Sequence, residues 1–149
     1  MKKRLILVAL VPLLLPIFAH GADGDLGVGV ILGEPTGLTA KLYLSSNDAV
    51  DLAASWSFRS ELIYLHADYI RHFPKALGRD LEPLVLYAGI GGLVQLSNNP
   101  VVGARFPVGI NFFLDDAPFE FFLELGPALL IVPETDFDFT GGIGVRYYF

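Results

Sequence analysis

The side chains that could most readily take part in catalysis lie around His66. Side chains alternate between the two faces of an extended strand, so Tyr64, His66 and Asp68 point the same way. With Ser55 or Ser57 on a neighbouring strand, this set contains the residue types of a nucleophile, a base and an acid. However, His66 is not part of a His-x-Ser arrangement, and a polar histidine needs no catalytic role. We therefore predict no catalytic residues and no enzymatic activity.

The sequence contains no residue pattern that is typical of a metal or cofactor site. The acidic pairs Asp115-Asp116 and Asp136/Asp138 supply too few oxygen atoms for Ca²⁺, which takes roughly six to eight. There is no cysteine, which excludes disulfides, thiolate metal sites and a lipidated N-terminal cysteine. The glycines at 89–92 lie inside a predicted strand with no helix after it, unlike a phosphate-binding loop. We predict no metal site and no cofactor.

These side chains must be positioned by strands, which alternation of apolar and polar residues indicates. This alternation recurs with a period of two and is interrupted by turn residues, which is typical of strands joined by short connections. The predicted strands are 26–32, 37–45, 49–58, 61–71, 84–96, 101–114, 119–131 and 137–149. Strands in soluble sandwiches usually have about 5–6 residues, whereas membrane strands need about 9–11 residues. Most of the predicted strands are longer than the first range and approach or reach the second.

One face of each predicted strand is strongly apolar, and two architectures can use such a face. A soluble, lipocalin-like barrel that binds a small apolar ligand would turn it inwards, whereas a membrane barrel would turn it outwards. The opposite face is poor in charge and rich in Gly, Ala, Ser and Thr, which suits a narrow lumen better than a wet surface. Aromatic residues also gather near the strand ends as two girdles, with Trp56, Phe58, Phe137 and Phe139 at one end and Tyr69, Phe112, Phe119, Phe121, Tyr147 and Phe149 at the other.

The pattern therefore favours an all-β fold, a closed antiparallel eight-stranded transmembrane β-barrel with up-and-down meander topology. Closure is required because every backbone polar group in hydrocarbon needs a protein partner. At eight strands the interior is filled by side chains, so we predict no open pore. Pro107 and Pro127 fall inside predicted strands and cannot donate to the ladder, so we expect a bulge or a strand end near each.

The inward face is predicted to hold a polar network with a structural role. Its members are Lys41, Asp51, His66, Asp68, Arg105, Glu120, Glu124, Asp138 and Arg146. Charges without water must be paired, so neutralisation is the expected purpose of this network.

Turn positions predict specific neighbours within the network. If Arg59-Ser60 forms the turn, Asp51 lies opposite Asp68, and Lys41 on the preceding strand is a diagonal neighbour that relieves this like-charge pair.

The last hairpin predicts a second set of neighbours. If it centres on Glu134, then Arg146 lies diagonal to both Glu120 and Glu124.

The N-terminus has the layout of a secretory signal peptide. A basic start at residues 2–4 precedes an uncharged run, Leu5–Phe18, and small residues allow cleavage after Gly21 or Ala22. We therefore predict a cleaved signal peptide over 1–21 and a barrel over 22–149. Cleavage after Gly21 takes the net charge from −6 to −9, because it removes three basic and no acidic groups. An acidic chain argues against nucleic acid as a partner.

The chain stops at an aromatic residue inside its last predicted strand. Ile143, Val145, Tyr147 and Phe149 alternate on the apolar face, and Phe149 is the final residue. This ending resembles the C-terminal signal by which outer-membrane barrels are recognised by their insertion machinery. With both termini periplasmic, the exterior loops are short and the longest connection, His72–Pro83, is periplasmic.

The region after the signal peptide resembles the small eight-stranded outer-membrane barrels, the superfamily of the OmpA transmembrane domain, OmpX and OmpW. The run Gly33–Lys41, with its Gly-x-Pro-Thr-Gly turn, is similar to an uncharacterised family of short bacterial barrels also found in spirochaetes. The ending Gly141–Phe149 fits the general barrel ending.

The resemblance implies a protein of the outer membrane of a Gram-negative-type bacterium, with a structural or surface role. Its expected partners are outer-membrane lipids and, during biogenesis, periplasmic chaperones and the insertion machinery; we expect a monomer. The alternatives are the soluble lipocalin-like barrel and a lipid A-modifying barrel enzyme.

Overall fold

The computed structural model describes residues 25–57 and 61–149, so the predicted signal peptide lies outside the described residues. The described chain is built from strands and one short 3₁₀ helix, Arg79–Leu81. The strands are β1 (Leu26–Glu34), β2 (Thr36–Tyr43), β3 (Asp48–Trp56), β4 (Ile63–Phe73), β5 (Leu84–Leu96), β6 (Val101–Arg105), β7 (Val108–Phe113), β8 (Phe119–Val132) and β9 (Asp136–Tyr148).

The strands close into a ring of antiparallel pairs. Consecutive strands pair from β1 to β6 and from β7 to β9, and β1 pairs with β9 from Gly27↔Tyr148 to Glu34↔Gly141. Strands β6 and β7 lie end to end between β5 and β8, so together they form the sixth of eight barrel strands. The structure therefore confirms the closed eight-stranded antiparallel meander.

The break between β6 and β7 lies at Phe106 and Pro107, where the sequence predicted an interruption. Pro107 O still accepts from Gly89 N at 2.9 Å, so the residue keeps one ladder bond although its nitrogen has no proton. The prediction for Pro127 was wrong, because β8 runs through it without a break. Pro127 O accepts from Phe106 N at 2.9 Å, so Pro127 lies opposite the break between β6 and β7.

The barrel has two ends, which we name by their connections. The termini end carries Leu26, Phe149 and the connections at 44–47, 74–83 and 114–118. The far end carries Pro35, the ends of β3 and β4, and the connections at 97–100 and 133–135. Phe58 and the predicted turn Arg59-Ser60 lie outside the described residues. The longest connection, 74–83, lies at the termini end as predicted. The prediction that His72 begins this loop was wrong, since His72 lies within β4 and is buried.

The outer wall is apolar along its whole length. Large exposed side chains include Leu32 on β1, Leu123 on β8 and Ile143 on β9, each more than 50% exposed. Aromatic residues stand at both ends, with Trp56 and Phe137 exposed near the far end and Phe119 and Tyr147 in edge-to-face contact near the termini end. Within the described ranges, no helix is long and apolar enough to cross a membrane.

The predicted insertion signal lies on this outer wall. Ile143, Tyr147 and Phe149 are exposed and Val145 is half-exposed, so all four face outwards from the last strand. Phe149 N donates to Leu26 O at 2.9 Å, which ties the final residue to the first strand.

Candidate functional site

The interior of the barrel is strongly polar, and seven of its charged side chains are at most 4% exposed. These are Lys41, Asp51, Asp68, Arg105, Glu120, Glu124 and Arg146. His66 and Asp138 also point inwards and are half-buried as residues. The inward-facing charges form two clusters, one towards each end of the barrel.

The first cluster, which we call the termini-end cluster, centres on Arg146. Its guanidinium reaches Asp51 Oδ2 at 2.8 Å, Glu120 Oε1 at 3.1 Å and Thr39 Oγ1 at 2.8 Å. Lys41 Nζ donates to the same Glu120 Oε1 at 2.9 Å. Two cations therefore neutralise two carboxylates, and neutral donors supply the remaining bonds.

Neutral side chains complete the termini-end cluster. Tyr148 OH donates to Glu120 Oε2, and Asn111 Nδ2 donates to Glu120 Oε1 at 3.2 Å. His72 Nδ1 lies 3.0 Å from Asn47 O, and its Nε2 lies 3.2 Å from Lys41 Nζ. The carbonyl requires a donor and the ammonium requires an acceptor, so His72 fits best as the neutral tautomer with its proton on Nδ1.

Of the two pairings predicted around Asp51, one is confirmed and one was wrong in detail. Asp51 does lie opposite Asp68, as the turn position predicted. Lys41, however, lies directly opposite Asp51 rather than diagonal to it, and its ammonium pairs with Glu120. The long lysine side chain reaches across the lumen to the opposite wall, a contact that register between adjacent strands does not reveal.

The second cluster, which we call the far-end cluster, centres on Arg105. Its Nε donates to Asp68 Oδ2 at 2.7 Å, its Nη2 donates to Glu124 Oε1, and its Nη1 donates to Thr140 Oγ1 at 3.0 Å. Tyr87 OH donates to Glu124 Oε2 at 2.8 Å. Thus Arg105, rather than Arg146, is the cation beside Glu124.

The predicted diagonal placement of Arg146 fails because of the hairpin register. The last hairpin pairs Arg146 directly with Glu120 and places Gly142 opposite Glu124. The turn therefore centres on Pro133 instead of Glu134, and this shift by one position gives the two glutamates different cations.

The remaining two network residues lie at the edge of the far-end cluster. Asp138 Oδ2 accepts from Gln95 Nε2 at 2.7 Å, so its partner is a neutral amide. His66 Nδ1 lies 3.0 Å from Asp68 Oδ2, within ion-pair distance but without hydrogen-bond geometry. A small recess next to these groups is lined by residues that include Ser55, Tyr64 and Thr140.

Aromatic rings in the lumen add contacts that the sequence prediction did not include. The Arg146 guanidinium lies 3.9 Å from the centre of the Phe122 ring, and Lys41 Nζ lies 5.0 Å from that of Tyr87. Such cation–π contacts stabilise a desolvated charge. Strand parity is the signal that could have found both rings, because Phe122 and Tyr87 stand at inward positions.

The direction of the two faces contradicts the soluble lipocalin-like alternative. That alternative requires an apolar lumen, whereas the lumen here holds paired charges and the apolar face points outwards. Chemically, the interior brings opposite charges together from opposite walls and holds them by hydrogen bonds.

Comparison with known proteins supports the architecture. No protein-family model matches the chain, and no curated protein matches its sequence. Among solved structures, the N-terminal β-barrel domain of Pseudomonas aeruginosa OprF matches with a TM-score of 0.67, covering 85% of this chain and 98% of that domain at 14% sequence identity. At this identity the likeness shows a shared barrel fold alone.

Proposed function

We propose that this chain is an integral outer-membrane β-barrel of a Gram-negative-type bacterium, with a structural or surface role. One observation carries the proposal: charged side chains are buried inside the barrel while large apolar side chains cover its outer wall. In water this arrangement would expose the apolar wall at a cost of about 25 cal/mol per Å². In a bilayer the same wall contacts hydrocarbon.

The closed ring meets the main requirement of a bilayer. Backbone groups in hydrocarbon must be hydrogen-bonded within the protein, and pairing of β1 with β9 leaves no open edge. Exposed aromatic residues at both ends match the girdles that membrane barrels place at their two interfaces. Outer-membrane lipids are therefore the partners we propose for the outer wall.

We further propose that the barrel has no open pore. Arg146 on β9 bonds to Asp51 on β3, and Lys41 on β2 bonds to Glu120 on β8, so side chains from separated walls meet inside the lumen. The lumen of an eight-stranded barrel is narrow enough for such contacts to fill it. We also propose that the barrel is monomeric and has no catalytic activity, and lipid A mass spectra should be the same with and without its expression.

The proposed orientation places both termini in the periplasm. The connections of the far end then face the cell exterior, and the longest connection, 74–83, is periplasmic. Short exterior connections offer little surface for a loop-borne adhesin. The outward-facing residues Ile143, Val145, Tyr147 and Phe149 fit recognition by the barrel-insertion machinery, with periplasmic chaperones acting before insertion.

Fractionation and gel mobility test the proposal. We expect the protein in the outer-membrane fraction, extractable only with detergent and migrating differently on gels before and after boiling. Recovery of the folded protein in the soluble periplasmic fraction would contradict the proposal. Reconstitution in planar bilayers tests the absence of a pore, because a steady conductance would contradict a closed lumen.

A further inference from the structure

Several buried polar atoms of the far-end cluster lack a hydrogen bond of good geometry. In the described part of the chain, four buried side-chain N or O atoms have no hydrogen-bond partner. Three of them, Tyr64 OH, His66 Nδ1 and Asp68 Oδ1, come from successive inward positions of β4. Buried polar atoms without partners are costly, so three together indicate a group that they can bind.

The charges inside the barrel point to the kind of group. The strands direct three cationic and five anionic side chains inwards, which leaves a net charge of −2 when histidines are neutral; these are Lys41, Arg105 and Arg146 against Asp51, Asp68, Glu120, Glu124 and Asp138. The termini-end cluster is balanced, with two cations and two carboxylates. The excess negative charge therefore lies in the far-end cluster, where Arg105 serves both Asp68 and Glu124.

Three side chains there have the geometry of a metal-binding set. One potential ligand atom from each of His66, Asp68 and Glu124 lies within 4.8 Å of the other two. The side chains of His66 and Asp68 are 7% and 0% exposed, so water screens them little. Asp68 Oδ2 is bound to Arg105, but its Oδ1 is free to bind a second cation.

We propose that His66, Asp68 and Glu124 form an internal site for one divalent transition-metal ion, for which zinc is the best fit. Imidazole nitrogen and carboxylate oxygen are ligands that zinc accepts, and three protein ligands leave one position for water from the adjacent recess. A charge of +2 neutralises the −2 of the lumen. Arg105 holds one oxygen of each carboxylate, and Tyr87 OH donates to the other oxygen of Glu124. A carboxylate oxygen has two lone pairs, so Glu124 Oε2 can accept from Tyr87 and bind the ion.

The sequence alone did not reveal this site, because its ligands lie on β4 and β8, far apart along the chain. Closure of the barrel brings the two strands to the same lumen. The site lies inside the barrel, so metal binding in detergent can be measured whether or not the membrane proposal holds.

Zinc binding to the tag-free, detergent-folded protein tests the proposal. After removal of metal with EDTA, calorimetric titration with ZnCl₂ should show saturable binding of one ion per chain. His66→Gln should weaken this binding at least tenfold. His72→Gln is the matched control, since both nitrogens of His72 already have partners, and it should leave zinc affinity within twofold. Circular dichroism confirms that each variant folds.

X-ray absorption of the zinc-loaded wild-type protein gives a second test that needs no variant. The spectrum should show one imidazole nitrogen and carboxylate oxygens around the ion. Absence of saturable binding, equal binding by His66→Gln, or a spectrum with oxygen ligands only would overturn the proposal. The last result would indicate adventitious binding to surface acids such as Asp115 and Asp116.

Discussion

Arg146 on β9 and Asp51 on β3 meet inside the barrel, with Nη2 2.8 Å from Oδ2, although β1 and β2 separate their strands around the wall. The same guanidinium binds Glu120 on the adjacent strand β8. Arg146 therefore joins walls that share no backbone hydrogen bonds. Loss of Arg146 should therefore reduce the stability of the termini-end cluster more than loss of any other residue in it.

Replacing Arg146 with methionine should destabilise the barrel strongly. The variant leaves Asp51 without a cation and Glu120 with Lys41 alone, and removing one partner of a buried ion pair costs about 3–5 kcal/mol. Denaturant unfolding in detergent, followed by the fluorescence of Trp56, measures the change. The single tryptophan makes the signal specific.

Arg71→Met is the matched control for this variant. Arg71 binds Asp48 at 2.8 Å, but its side chain is 60% exposed. Solvent screens such pairs, so no measurable loss of stability is expected. Equal effects of the two substitutions would show that the buried pairing of Arg146 contributes no special stability.

Two consecutive glycines of β5 should respond differently to alanine. A Cβ atom at Gly91 would lie 2.2 Å from Ala67 O on the backbone of β4, so Gly91→Ala should cost about 1–3 kcal/mol through overpacking. Gly92 points the other way, and its Cβ would meet nothing closer than Gly103 O at 3.9 Å. Gly92→Ala should therefore be neutral or slightly stabilising.

Unfolding of both alanine variants in the same detergent measures this difference. The comparison tests the strand register directly, since a slip by one residue would exchange the inward and outward positions. A larger loss of stability for Gly92→Ala than for Gly91→Ala would contradict the register.

Much of the architecture could be predicted from local patterns, because period-two alternation and turn residues are local properties. Register between adjacent strands was partly predictable: Asp51 does lie opposite Asp68. A one-position error at the last turn was enough to assign Arg146 the wrong glutamate. Contacts across the lumen, such as Lys41 with Glu120, depend on closure of the whole ring and have no local signal.

His72 shows a second limit of local patterns. Its proximity to the longest connection suggested a loop residue, yet β4 continues to Phe73 and places the imidazole between Lys41 and Asn47. Arg71 interrupts the apolar pattern of the outward positions before the strand ends at Phe73. Inward positions near a barrel end need not be apolar, so the predicted strand 61–71 has the length of β4 but lies two residues too early.

Phe149 should matter for assembly in cells more than for stability. Its ring is 67% exposed and contacts Tyr147 edge to face, while its backbone nitrogen binds Leu26 O. Phe149→Ala keeps that backbone bond but removes the terminal ring that the insertion machinery is proposed to recognise. We expect several-fold less protein in the outer membrane and unchanged folding in detergent.

Phe137→Ala is the control for Phe149→Ala, because Phe137 is an exposed aromatic residue at the opposite end of the same strand. Quantitative immunoblots of membrane fractions compare the two. Equal losses would indicate a general need for aromatic residues at the wall and would contradict a specific C-terminal signal.

Contact of the outer wall with lipid is tested most directly by placing an arginine at two heights on β8. Leu125 is 48% exposed near the middle of the strand, and Val132 is 53% exposed at its end. In lipid vesicles, Leu125→Arg should reduce the free energy of unfolding by about 2–4 kcal/mol and Val132→Arg by about 0–1 kcal/mol, because the cost of a charge depends on its depth in the bilayer. Equal and small costs at both positions would contradict a membrane-embedded barrel.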